Sequence, residues 1–256
     1  MKKIKIGKYE VELYDSIDEL SMLRFHKYNK MLLIDAGIGS DLSDFDARIE
    51  KARVYCTTKA PELALLELDN LRQTVYFIQS GINTKHLAFT VLVKSIDGKE
   101  TNDLSIEGLQ KVLEMFSDIP HTEMTAQMEA VKKKIDEELQ MYFPTLFDDS
   151  SVKEYYDDLL RRTKLMLQAI IKGEWDEVQA DIDKITVALI TYNKPNVFSG
   201  TENMEIQHDK SFENMCLLIS QKLHVDAKRQ TVLEFYNAFE YIKQMMKTEA
   251  GKTRPK

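Results

Sequence analysis

One stretch limits the possible folds more than any other. Residues 61–81 read PELALLELDNLRQTVYFIQSG. Ala64, Leu68, Leu71, Val75 and Ile78 recur at alternating steps of four and three, and Leu63, Leu65, Leu66 and Phe77 widen the stripe. That spacing places an apolar band on one side of an α-helix, and such a band needs a cover. Pro61 suits a first helical position, where its missing N–H is not needed. Gly81 suits the left-handed position just past a helix end. The expectation is a long helix that the other elements are arranged to cover.

The chain has 256 residues, enough for one large domain or two small ones around a real core. Nine glycines and five prolines are few for that length, which favours helices over a fold built on many tight turns. The net charge of −7 argues against nucleic acid as the main partner, since phosphate binding rests on clustered Lys and Arg. DNA contact is expected to be indirect at most. Cys56 and Cys216 lie far apart without CxxC spacing and read as two free thiols on helix faces in a reducing cytoplasm. No run approaches the roughly 20 apolar residues of a membrane span. MKKIKIGKYE lacks the apolar segment of a signal peptide. The expected location is the cytoplasm where the chain is made, or a particle assembled there.

Residues 2–14 alternate apolar and charged about Gly7-Lys8, which predicts a β-hairpin. A lone hairpin is marginal in water, so this one must lean on helices or pair with another chain. Ser16 to Glu19 approximates a capping box opening a helix to about Asp35. A second helix is expected from about Asp44 to Thr58, antiparallel to the long one. Residues 85–96, KHLAFTVLVKSI, fit a strand or a buried helix equally, and Asp97-Gly98 permits a second small hairpin near residues 89–101. Further helices are expected from about Leu104 to about Ser117, from 123 to Pro144, over 152–172, from 174 to about Tyr192, from Ser211 to about Leu223 and from Ala227 to about Lys247. The stretch from Lys194 to about His208 reads as the longest loop, and GKTRPK as a loose polar tail. The fold class is mainly α: a multi-helix bundle with an N-terminal β-hairpin. A soft boundary divides 1–117 from 118–256, with one continuous domain as the alternative.

No catalytic, cofactor-binding or metal-binding residue emerges, and no cofactor is expected. Gly37-Ile-Gly39 lacks the third glycine of a dinucleotide fingerprint and the lysine of a P-loop. Asp97 to Asp103 fails as a calcium loop, because Lys99 occupies a ligand position. His26, His86, His121, His208 and His224 show no strong zinc spacing. The clusters Lys132-Lys133-Lys134 and Arg161-Arg162 are flanked by acids and read as solvated faces with i,i+4 ion pairs. The last helix carries bulky groups around most of its circumference, so it is buried on more than one side. Aromatics and Met are enriched at interfaces, which marks Phe235, Tyr236, Phe239, Tyr241 and Met245 as candidate interface residues. Tyr9 and Val11 of the hairpin join them, because an unpaired strand edge can dock.

Three stretches carry a resemblance: RFHKYNKMLLIDAGIGSD (24–41), KSIDGKETNDLSIEGLQKVL (94–113) and TVLEFYNAFEYIKQMM (231–246). They resemble small virion or virion-assembly proteins of tailed bacteriophages, nearest to those of crAss-like phages. The resemblance covers about a fifth of the chain and contains no active-site motif. It implies a non-enzymatic structural role: a ring or connector subunit at the portal–tail junction, in the virion. Its partners would be copies of itself and other virion proteins such as portal or tail components, with no membrane. Association would run through heterologous contacts that close into a ring. A tail-assembly chaperone absent from the finished particle is the alternative within that family. A helical enzyme with a site built from scattered carboxylates and histidines is the alternative outside it.

Overall fold

The computed structural model describes residues 1–34, 43–58, 60–79, 84–144, 150–173, 175–192, 195, 197–198, 200–201 and 203–252. Their elements in chain order are β1 (Lys2–Ile6), β2 (Tyr9–Leu13), α1 (Met22–Ile34), α2 (Ser43–Thr57), α3 (Pro61–Gln79), α4 (Thr84–Leu92), β3 (Val93–Ile96), β4 (Lys99–Glu100), α5 (Ile106–Met115), α6 (His121–Tyr142), α7 (Ser150–Lys172), α8 (Trp175–Tyr192), α9 (Met204–Leu223) and α10 (Val232–Lys252). A short 3-10 turn, Ala227–Arg229, precedes α10. The mainly helical class holds, and both hairpins are present.

The chain divides into two compact units, each drawing on segments from both sides of residue 118. The first comprises 1–35, 82–144 and 203–256; the second comprises 36–81 and 145–202.

In the first unit the four strands form one antiparallel sheet in the order β1-β2-β3-β4. Ile4 pairs with Val11, and Val11 pairs in turn with Ile96. The N-terminal hairpin therefore leans on β3 of its own chain. Gly7 has φ +55°, as the first position of its turn requires, and a Cβ there would lie 3.2 Å from Ile119. Asp97 (φ 49°) and Gly98 (φ 77°) turn the second hairpin, and Asp97 Oδ1 accepts from the Glu10 N–H at 2.9 Å. This is a turn and not a cation loop.

Residues 85–96 use both of the structures their sequence permits. Thr84–Leu92 is helix, and Val93–Ile96 is strand. All seven residues from His86 to Leu92 are buried. A helix that is apolar nearly all round must be enclosed, and α1, α5 and α6 pack around α4. The helix at the centre of the main core is α4. None of the residues of that core cluster comes from α3.

Two capping expectations give way to longer-range bonds. Ser16 does not start a helix; α1 begins at Met22. The Ser16 hydroxyl donates to Glu138 Oε2 (2.8 Å), and the Ile17 N–H donates to the same oxygen (2.9 Å). Both tie the chain to α6, at the expense of a local cap. The loop expected from 194 to 208 is shorter, because Asn203 accepts from the Glu205 and Ile206 N–H groups and opens α9 at Met204. Likewise, the helix expected from Ala227 starts at Val232. Its first residues are held by a bridge between Ser21 and Thr231 and by the Val232 N–H bond to the Leu20 carbonyl.

In the second unit α2 packs on α3 and α7 packs on α8, with contacts between α2 and α8. The α3 face differs from expectation. Ala64 and Leu71 are buried, but Leu65, Leu68 and Val75 are exposed, while Glu67, Asn70 and Thr74 are buried. The inward line is 64-67-70-71-74, which overlaps the apolar stripe along one edge only. The side chains of Phe77 and Ile78, with residues 80–83, lie outside the described set, as do the Gly37-Gly39 loop and residues 253–256.

Candidate interaction surface

The seven interface candidates fall into different environments. Val11 and Phe235 are fully covered within the chain and have no surface to offer a partner in this fold. Tyr9, Tyr236 and Phe239 are partly buried against the first unit's core. Tyr236 rests on Phe143 at 5.4 Å between centroids, and Phe235 on Phe212 at 6.3 Å. The bulky circumference of α10 is thus mostly consumed inside the unit. Tyr241 is exposed and Met245 half-buried, next to an exposed Met246. β1 is the sheet edge beside β2, and the alternating Lys3 and Lys5 along it oppose edge-to-edge pairing.

Among the described residues, a run of exposed apolar side chains lies on α7. Tyr156 is 58% exposed, Leu160 55%, Leu167 53%, Ile170 66% and Ile171 82%. With Thr163 between them, Tyr156, Leu160, Leu167 and Ile170 step by four, three, four and three. The signal was present in the sequence as a 4-3 stripe. Its side could not be read, because α7 carries a second apolar line, Tyr155, Leu159, Leu165, Met166 and Ala169, that faces inward. Trp175 at the start of α8 is exposed as well. Single exposed apolar residues are ordinary, but a contiguous patch of this kind marks an interaction site.

The interior of the second unit is correspondingly polar. Glu67 lies within electrostatic reach of Lys51 and Tyr55; burial, with Glu67 beside it, pushes the Tyr55 phenol up. Thr74 Oγ1, Arg162 Nε and Tyr192 OH are buried without a hydrogen-bond partner among the described residues. Buried polar groups in that state cost stability, as do Tyr28 OH, His208 Nε2 and Gln230 Oε1 in the first unit.

The densest group of titratable side chains is in the first unit, between α1 and α9. His26 stacks on Phe212 (4.0 Å) and on His208 (4.4 Å), and its Nε2 meets Asp209 Oδ1 at 2.9 Å. Lys30 donates to the other oxygen of Asp209. Burial lowers the His26 pKa, with the hydrogen bond to Asp209 opposing it and His208 reinforcing it. The arrangement ties α1 to α9. Among the described residues no group of three or more His, Cys, Asp or Glu is placed to hold a metal ion. Cys56 and Cys216 are free thiols, the first exposed and the second buried, where burial raises its pKa to about 11.

The basic run on α6 behaves as its spacing requires. Lys132 meets Asp136 at 2.6 Å, Lys133 meets Glu137 at 3.8 Å and Lys134 meets Glu138 at 4.0 Å. Lys134 also bridges to Asp15 of the first unit at 2.8 Å. These lysines are occupied by carboxylates and do not form an open phosphate site. No described helix is long and apolar enough to cross a membrane. No family model, curated protein or solved structure matches the chain.

Proposed function

We propose that this chain is a non-enzymatic structural protein of a tailed bacteriophage particle, a ring or connector subunit at the portal–tail junction. It would assemble through protein–protein contacts with its own copies and with portal or tail components. The resemblance of residues 24–41, 94–113 and 231–246 to phage virion proteins supports the phage reading. The observation that carries the assembly role is the exposed apolar face of α7, with Tyr241 and Met246 on α10 as a second, smaller patch. Association buries such surface from water at roughly 25 cal/mol per Å2, which gives a subunit of this kind its reason to oligomerise.

The test is mass spectrometry of purified particles, combined with the native mass of the isolated protein. Retention in the particle at a copy number that fits a closed ring supports the connector reading. Association with assembly intermediates and absence from finished particles supports the tail-assembly chaperone. Absence from both overturns the phage assignment.

A further inference from the structure

We infer that the outer face of α7 pairs with the same face of a second copy, antiparallel, across a two-fold axis. The contact is independent of the phage reading: a two-fold pair closes on itself whether or not a larger ring forms. The seam is Tyr156, Leu160, Thr163, Leu167 and Ile170, all on the outward side of one helix. Their 4-3-4-3 spacing is that of a two-helix coiled coil.

The charges beside the seam select both the occupant and the direction. Asp157 follows Tyr156 and Lys164 follows Thr163, so both border the apolar line, whereas Glu154, Asp158, Arg161, Arg162 and Lys172 lie on the other sides of the helix. A parallel pair in register would keep Asp157 level with the second copy's Asp157, and Lys164 level with its Lys164. An antiparallel pair brings Asp157 to the second copy's Lys164.

One register satisfies seam and charges together. When Tyr156 lies opposite the second copy's Leu167, Leu160 lies opposite its Thr163, and the two-fold axis repeats both contacts. In that register Asp157 stands beside the second copy's Lys164, again twice. Asp157 and Lys164 are exposed and border the same edge of the apolar line, seven residues apart. Neither takes part in an ion pair among the described residues. A foreign partner would need the same spacing of apolar groups with a reversed order of charge; a second copy supplies both without further assumption.

The experiment is sedimentation equilibrium of the full chain and of two single charge reversals, Asp157→Lys and Lys164→Asp. The wild type is expected to dimerise with concentration. Each reversal places like charges together twice and is expected to weaken the dimer about tenfold or more. An equimolar mixture of the two variants is expected to regain wild-type affinity, because one chain then offers Lys at both positions and the other Asp at both. That rescue requires each variant to be folded and each site to face the other on a second copy. A wild type that stays monomeric at concentrations on the order of 100 µM overturns the inference. So does a mixture that pairs no better than its components. Neither result bears on whether the protein is found in phage particles.

Discussion

The first unit gathers a large apolar core of fully buried side chains, whereas the second lines exposed apolar side chains along one helix. Around α4, the first unit gathers Phe89, Phe116, Phe143, Phe235 and Leu92, all fully buried, and closes a four-stranded sheet over them. The second unit buries Glu67, Asn70 and Thr74, and sends Leu160, Leu167, Ile170 and Ile171 outward. Both are amphipathic helical assemblies by sequence. The difference teaches that an apolar stripe states only that something must cover it. In the first unit the chain is its own cover; on α7 the proposed cover is a second copy.

This contrast can be broken most forcefully at Phe235. Phe235→Ala empties a fully buried site at the core and is expected to cost about 3–5 kcal/mol, read from urea unfolding. A cost below about 1 kcal/mol would mean that the first unit is not the stability-determining part. Arg24→Ala comes next. The Arg24 guanidinium is buried and donates to the carbonyls of Val91 (2.9 Å), Val93 (3.2 Å) and Thr101, fastening α1 to the end of α4 and to the second hairpin. Its loss takes a hydrogen bond from each of three carbonyls, of which Val93 keeps the Thr101 hydroxyl, and is expected to cost about 3 kcal/mol.

The second unit should respond in the opposite direction. Thr74→Val removes a fully buried hydroxyl without a partner among the described residues, at nearly constant volume. A gain of about 1 kcal/mol is expected in thermal unfolding of the full chain. A loss of that size would show that the hydroxyl is satisfied and that the interior is not under polar strain.

The smallest effect is acid sensitivity at the α1–α9 joint. Burial holds the His26 pKa below its ordinary 6.5 in the folded chain. Above pH 6.5 both states are neutral, and the stability is complete. As pH falls below 6.5, the unfolded chain takes up a proton that the folded chain resists, so stability declines until the folded pKa is passed. His208 and Lys30 oppose a positive charge on the ring, while Asp209 favours it. The melting temperature between pH 7 and 5 is therefore expected to fall less in His26→Gln than in the wild type.

Much of the fold could be read from the sequence, because helix periodicity, Gly7, and the Asp97-Gly98 turn are local signals. Which helix lies at the centre was not local. The stretch 85–96 has no clear period because α4 is covered nearly all round and then passes directly into β3. The Ser16 cap failed because Glu138, 122 positions away, competes for the hydroxyl. The aromatics of α10 suggested an interface, yet Phe143, Phe212 and their neighbours in the same unit absorb most of them. The surface residues of α7 were legible as apolar and periodic. Their outward direction depends on how α8 packs, and that is not written in α7 alone.

The decisive experiment pairs thermal unfolding with sedimentation equilibrium on Leu167→Asp. If the outer face of α7 serves association and not folding, the dilute protein keeps its melting temperature within about 2 °C, and concentration-dependent dimerisation disappears. If instead the melting temperature drops by about 6 °C or more while the association state is unchanged, Leu167 belongs to the internal packing of its own chain, and the contrast between the two units is wrong.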